Sequence, residues 1–129
     1  MKESVSTNQA PAPAGPYSQA IKTRNRIYVS GQRPVDVQTG EMPPDVSGQT
    51  RQVLENVKAV LEAAQATLDD VVKVNVYLAN IEDFDAFNAV YREFFKEPYP
   101  ARTTIGAALR KILVEIDVIA EIGREESVI

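Results

Sequence analysis

Residues 113–122 read LVEIDVIAEI, and the alternation in this stretch decides how the chain folds. Val114, Ile116, Val118, Ala120 and Ile122 recur with a period of two, so a strand here turns them all to one face. Glu115, Asp117, Ile119 and Glu121 take the other. The first face needs an apolar cover. The second is too charged for a dry core and too apolar for plain solvation.

Working outward, two segments qualify as the cover. From Val46 to Leu68, the residues Val53, Leu54, Val57, Val60, Leu61, Ala64 and Leu68 recur at helical spacing, with Arg51, Glu55, Lys58 and Glu62 between them. A second helix is expected to start at Asp83, placed as its cap, and to end before Pro98. Its stripe of Phe84, Phe87, Tyr91, Phe94 and Phe95 reads as a core face laid on a sheet rather than a cofactor box. Between the helices, Val71–Ala79 alternates Val72, Val74, Val76 and Leu78 against Lys73, Asn75 and Tyr77, a strand. Ala20–Thr23 and Arg26–Ser30 form a hairpin turned at Arg24 and Asn25, followed by a loop rich in Gly and Pro. Ala101–Ala107 and Leu113–Ile122 are expected to form a final hairpin. The order ββαβαββ predicts an α+β domain, a mixed sheet with two helices on one face. Residues 1–129 make a single domain in this reading, of which 1–13, polar and then Pro-rich, are a flexible N-terminal tail.

Composition narrows the chemistry. The net charge is −4 with no block of basic residues, so the footprint of a nucleic-acid binder is missing. No run of about 18 apolar residues and no charged-then-apolar leader occurs, which predicts no membrane span and a cytoplasmic location. With no Cys and no His, disulfides, thiolate nucleophiles, the commonest metal ligand and the usual general base are all excluded. Any reaction must run on Arg, Lys, Tyr, Ser, Thr, carboxylates or backbone groups.

Helices on one side leave the other face of the sheet open. It is buried against further copies of the chain, with charged groups gathered in clefts between them, or it is the wet face of a monomer. The stretch 100–108, PARTTIGAA, raises a second question, because Arg102 stands alone at the start of a strand of small and apolar residues. It reaches solvent at a sheet edge, or it is held in a cleft to meet an anion. Arg102 and Thr104 share one side of their strand. If the hairpin register places Glu115 on that side, the two face a common cavity, as a salt bridge or as a functional site.

Five segments together resemble the Rid/YjgF family of reactive-intermediate imine deaminases: GPYSQAI (15–21), IYVSGQ (27–32), NVYL (75–78), PARTTIG (100–106) and LVEIDVIA (113–120). The likeness runs from about Ala12 to Ile122. It implies a chorismate-mutase-like fold, a homotrimer with sites in the inter-subunit clefts, and hydrolysis of 2-imino acids (2-aminoacrylate type) to 2-keto acids and ammonia without metal or organic cofactor. It places Arg102 on the substrate carboxylate and Glu115 beside the reacting water, with Tyr17, Ser30, Gly31, Asn88 and the backbone at Thr104 lining the cleft. Two other functions stand beside this one: a module that binds 2-keto acids without turnover, and a ribonuclease or translation inhibitor, which the acidic, His-free chain disfavours. One departure concerns the segment ALRKILVEI (108–116), shorter than the family's usual turn and lacking its Pro and Gly. Thr104 also stands where many members have Cys.

Overall fold

The strands form where apolar and β-branched residues alternate, and a computed structural model describes them over residues 1–123. They are β1 (Lys2–Val5), β2 (Ala20–Thr23), β3 (Arg26–Gln32), β4 (Val71–Leu78), β5 (Ala101–Gly106) and β6 (Val114–Glu121), with helices α1 (Val46–Ala63) and α2 (Phe84–Phe94). The six-stranded sheet has the order β1-β2-β3-β6-β4-β5. Every neighbouring pair is antiparallel except β4 and β5. The α+β reading, a mixed sheet with two helices, therefore holds.

Two expectations about connectivity do not. Residues 1–13 are no tail: β1 pairs with β2 in the register Lys2↔Thr23 to Val5↔Ala20, which adds a strand to the expected order. The segment after it is pinned by Gln19, itself buried. Its Oε1 accepts from Thr7 N at 2.7 Å, and its Nε2 donates to the carbonyl oxygens of Thr7 and Pro11 at 3.0 and 2.9 Å. Nor do β5 and β6 make a hairpin. α2 is a crossover, and a strand–helix–strand unit sets its second strand parallel beside its first. β5 thus takes one edge of β4, and β6 takes the other, between β4 and β3.

Local chemistry sets the helix ends. Asp45 caps α1, its Oδ1 accepting from Gly48 N at 2.8 Å. The helix stops at Ala63, five residues before the expected Leu68, where Gln65 turns into the left-handed region at φ 67°. The amides of Gln65 and Ala66 then donate to the carbonyls of Glu62 and Leu61 at 3.0 and 2.8 Å, closing the end. Asp83 precedes α2 but its side chain makes no capping bond. It belongs instead to a short 3₁₀ turn, Ile81–Asp83, capped by Asn80.

The core lies between the helices and one face of the sheet. Val53, Leu54, Val57, Val60, Leu61 and Phe87 meet Val74, Val76, Ile116 and Val118, all essentially inaccessible to solvent. Each such side chain contributes about 1.5–3 kcal/mol of burial. The alternation of β6 is obeyed throughout its length. That of β4 slips once: the register with β6 shifts between Val71 and Lys73, so Val71 is buried and Val72 exposed, the reverse of the expected phase. No helix among the described residues is long and apolar enough to cross a membrane.

Candidate active site

Arg102 is held by aromatic rings. In the parallel ladder it pairs with Val74, and Thr104 pairs with Val76, so both belong to the helix side of the sheet. There α2 presents Phe84, Phe87 and Tyr91, whose ring centroids lie 5.7, 5.3 and 4.7 Å from the guanidinium carbon. Each contact is favourable because a cation is drawn to the face of an aromatic ring. No carboxylate pairs with Arg102 among the described residues. The guanidinium borders a hollow of about 270 Å³, with Asn88, Tyr91, Arg92, Tyr99 and Pro100 as its other walls. Tyr91 is 4% exposed and its hydroxyl lies by the Arg102 guanidinium, while the buried Thr104 hydroxyl has no hydrogen-bond partner among the described residues. Burial pushes the Tyr91 phenol up to about 12, against the lowering influence of the nearby Arg102 charge. A fixed cation and a buried hydroxyl thus border one small hollow.

Glu115 occupies a different place. It pairs with Tyr77, on the open face of the sheet. It borders a recess of about 1180 Å³ whose walls include Tyr17, Ser30, Gly31 and Arg33. The carboxylate lies directly over Gly31, where any Cβ would collide with Glu115 Oε2. A side chain at position 31 would push that carboxylate aside, so glycine is what lets Glu115 lie over the backbone here. Burial raises the Glu115 pKa, the charge of Arg33 lowers it and that of Asp117 raises it further. Ser30 Oγ donates to the Ser18 carbonyl at 2.6 Å, and the Tyr17 hydroxyl accepts from Ala14 N at 3.1 Å. These two bonds fix the shape of the 14–19 loop at the rim.

The sequence-predicted residues therefore form two groups. Tyr17, Ser30, Gly31 and Glu115 meet on the open face. Arg102, Asn88 and Thr104 belong to the helix side. Within one chain Arg102 and Glu115 face opposite ways, so neither the salt bridge nor the shared cavity considered from periodicity exists there. The register that was to decide the matter is not a hairpin register at all.

Several contributors were not read from sequence. In the sequence Phe84, Phe87 and Tyr91 read as core alone, yet they carry the guanidinium. Buried amides staple the loops of the recess: Asn56 Nδ2 donates to the carbonyls of Arg33 and Val35 at 2.8 and 3.0 Å, and Gln49 Oε1 accepts from Leu113 N at 2.8 Å. Their signal was present, since Gln49 and Asn56 fall on the apolar stripe of α1, where a polar residue needs an internal partner. The turn without Pro or Gly is made by Lys111, which adopts φ 64°. Among the described residues no group of three or more His, Cys, Asp or Glu is placed to hold a metal ion.

Residues 7–122 match the family model described as Endoribonuclease L-PSP. A RutC family protein of Pyrococcus horikoshii is 50% identical over 93% of this chain and 98% of its own length. The protein of Escherichia coli K12 named 2-iminobutanoate/2-iminopropanoate deaminase is 42% identical over 93% of this chain and 98% of its own. Among solved structures, RidA of the Antarctic bacterium Psychrobacter sp. superposes with a TM-score of 0.89 at 44% identity, covering 93% of this chain and 99% of that one. Matches of this extent, on a sheet of this order, leave one assignment: the chain belongs to the Rid/YjgF family, which its sequence resembles and which the Endoribonuclease L-PSP model describes.

Proposed function

We propose that the chain is a 2-imino acid deaminase, converting 2-imino acids and their enamine tautomers to 2-keto acids and ammonia. The observation that carries this reading is Arg102, an unpaired guanidinium stacked on three rings beside a small hollow. Such a fork holds a planar carboxylate by two parallel hydrogen bonds. The relatives named for iminobutanoate and iminopropanoate support the choice of electrophile.

Because Arg102 and Glu115 face opposite ways, the reacting centre is built from two copies. Arg102 of one copy fixes the substrate carboxylate, and Glu115 of the next takes a proton from water. The open face carries the apolar residues that such a contact would cover, among them Tyr28, Val72 and Ile105. A homotrimer closes this arrangement on itself, each copy giving its Arg102 face to one neighbour and its Glu115 face to the other. The chemistry balances simply. Water adds to the imine carbon and Glu115 accepts its proton. The nitrogen is protonated, the C–N bond breaks, and ammonia departs as the carbonyl forms. Acid–base help of this kind supplies about 10²- to 10⁴-fold, and a site without His or Cys suffices for an electrophile already activated.

The test is a coupled assay in which a pyridoxal-dependent dehydratase releases 2-aminoacrylate from serine. Wild type accelerates keto-acid appearance, and Arg102→Ala lowers kcat/KM by about 10²-fold while eluting at the wild-type size in gel filtration. A smaller assembly returns Arg102 to a structural role. Pyruvate binding without acceleration makes the chain a keto-acid binding module instead.

A further inference from the structure

The recess around Glu115 holds more positive charge than a substrate with one carboxylate requires. Arg33, Arg110 and Lys111 all border it, with Glu115 and Asp117 as its acidic groups. Asp117 is already engaged: Asn75 Nδ2 and the Tyr77 hydroxyl donate to its two oxygens, at 2.9 Å each. Of the three cations, Arg33 is the one built into the fold. It is half-buried. Its backbone carbonyl accepts from the buried Asn56 amide at 2.8 Å, and its Nη2 donates to the Arg110 carbonyl at 3.1 Å. The main chain of Arg33 is thus held by Asn56, and its guanidinium by one bond at Nη2. A guanidinium has five N–H donors, and no carboxylate forms a salt bridge with this one among the described residues. It lies close enough to Glu115 to lower that group's pKa against the effect of burial.

The next step rests on the deaminase reading above. There the α-carboxylate of the substrate goes to Arg102 of a neighbouring copy, and the imine carbon lies next to Glu115. Whatever extends from that carbon lies against the recess that Arg33 borders, under the donors of Arg33. We propose that the favoured substrates are 2-imino acids whose side chain ends in a second carboxylate, and that Arg33 is the residue that grips it. An apolar side chain leaves the Arg33 donors to water and gains nothing from them. A cationic side chain is repelled by Arg33, Arg110 and Lys111 together. A carboxylate meets a fork of matching geometry, pre-set by Asn56 and the 110 carbonyl, so little side-chain freedom is lost on binding.

Turnover and binding are measured separately on the full chain. For turnover, 2-iminoglutarate and 2-iminobutanoate are generated in place by an amino-acid oxidase, and the ratio of their kcat/KM values is taken. For binding, 2-oxoglutarate and 2-oxobutanoate are titrated calorimetrically. Wild type is expected to prefer the dicarboxylic member of each pair. Arg33→Gln is expected to reduce each preference by about tenfold, the worth of a charge-assisted hydrogen bond, and Arg33→Lys to keep part of it. Equal use of both imines by wild type, or a preference that Arg33→Gln leaves intact, overturns the assignment while the deaminase stands. So does a variant that loses both substrates in proportion. If neither imine is hydrolysed but 2-oxoglutarate binds preferentially and only with Arg33, the anion assignment holds and the deaminase reading falls. Binding of neither keto acid overturns both.

Discussion

Glu115 sits between two opposing charges, and its behaviour as a base depends on which of them is removed. Burial raises its pKa first, Arg33 lowers it, and Asp117 raises it. A base acts when deprotonated, so kcat/KM climbs as pH passes upward through this pKa. Removing the Asp117 charge takes away a repulsion that kept the proton on, and the climb moves to lower pH. Asp117→Asn, which keeps an oxygen able to accept from Asn75 or Tyr77, is therefore expected to shift the acidic limb of the pH–rate profile downward. An unmoved limb in a profile recorded with 2-iminobutanoate would detach Glu115 from the proton transfer. Gly31 belongs to the same balance, because only a residue without a side chain lets the carboxylate settle over the backbone where these charges act on it.

Secondary-structure elements were the most legible part of the chain. Strict alternation in β6 reports a buried face directly, and the stripe of α1 reports the helix that covers it. What local pattern does not carry is partnership. A bulge moved Val72 to the surface without any change of residue type, and β5 joined β4 because α2 makes the connection a crossover, a fact about path rather than composition. The same limit hid β1, whose exposed residues gain their order from pairing with β2, and the segment after it, which the Gln19 clamp holds. It also split the candidate site, since the residues were identified by type while their faces depended on strand order. The end of α1 offers a test at this scale. Gln65 takes the left-handed position that closes a helix, where glycine has no steric penalty. An L-residue there costs about 1–2 kcal/mol, part of which glycine returns through its freer unfolded chain. Gln65→Gly is expected to stabilise the fold by about 0.5–1 kcal/mol, seen as a rise of about 2–4 °C in Tm by calorimetry. A fall in Tm would show that the Gln65 side chain makes a compensating contact.

At the scale of the molecule, the opposed faces of Arg102 and Glu115 lead to a result that neither residue predicts alone. A chain lacking the guanidinium still offers a complete Glu115 recess, and a chain lacking the carboxylate still offers a complete Arg102 hollow. If each reacting centre joins the hollow of one copy to the recess of another, then Arg102→Ala and Glu115→Gln, each inactive alone, complement each other within one assembly. In a ring of three formed at random from equal amounts of the two, a centre is whole when its Arg102 comes from one variant and its Glu115 from the other, which holds for about a quarter of centres. Isolation by two different affinity tags keeps only rings that hold both variants, in which one centre of three is whole, so the co-expressed variants are expected to recover about a third of wild-type kcat with an unchanged KM. Mixing the separately purified assemblies without exchange should recover nothing, which controls for leakage from either variant. A tagged mixture shown by mass spectrometry to contain both variants, yet without turnover, would mean that the two faces never meet, and the unpaired guanidinium would then have to find its anion without the help of Glu115.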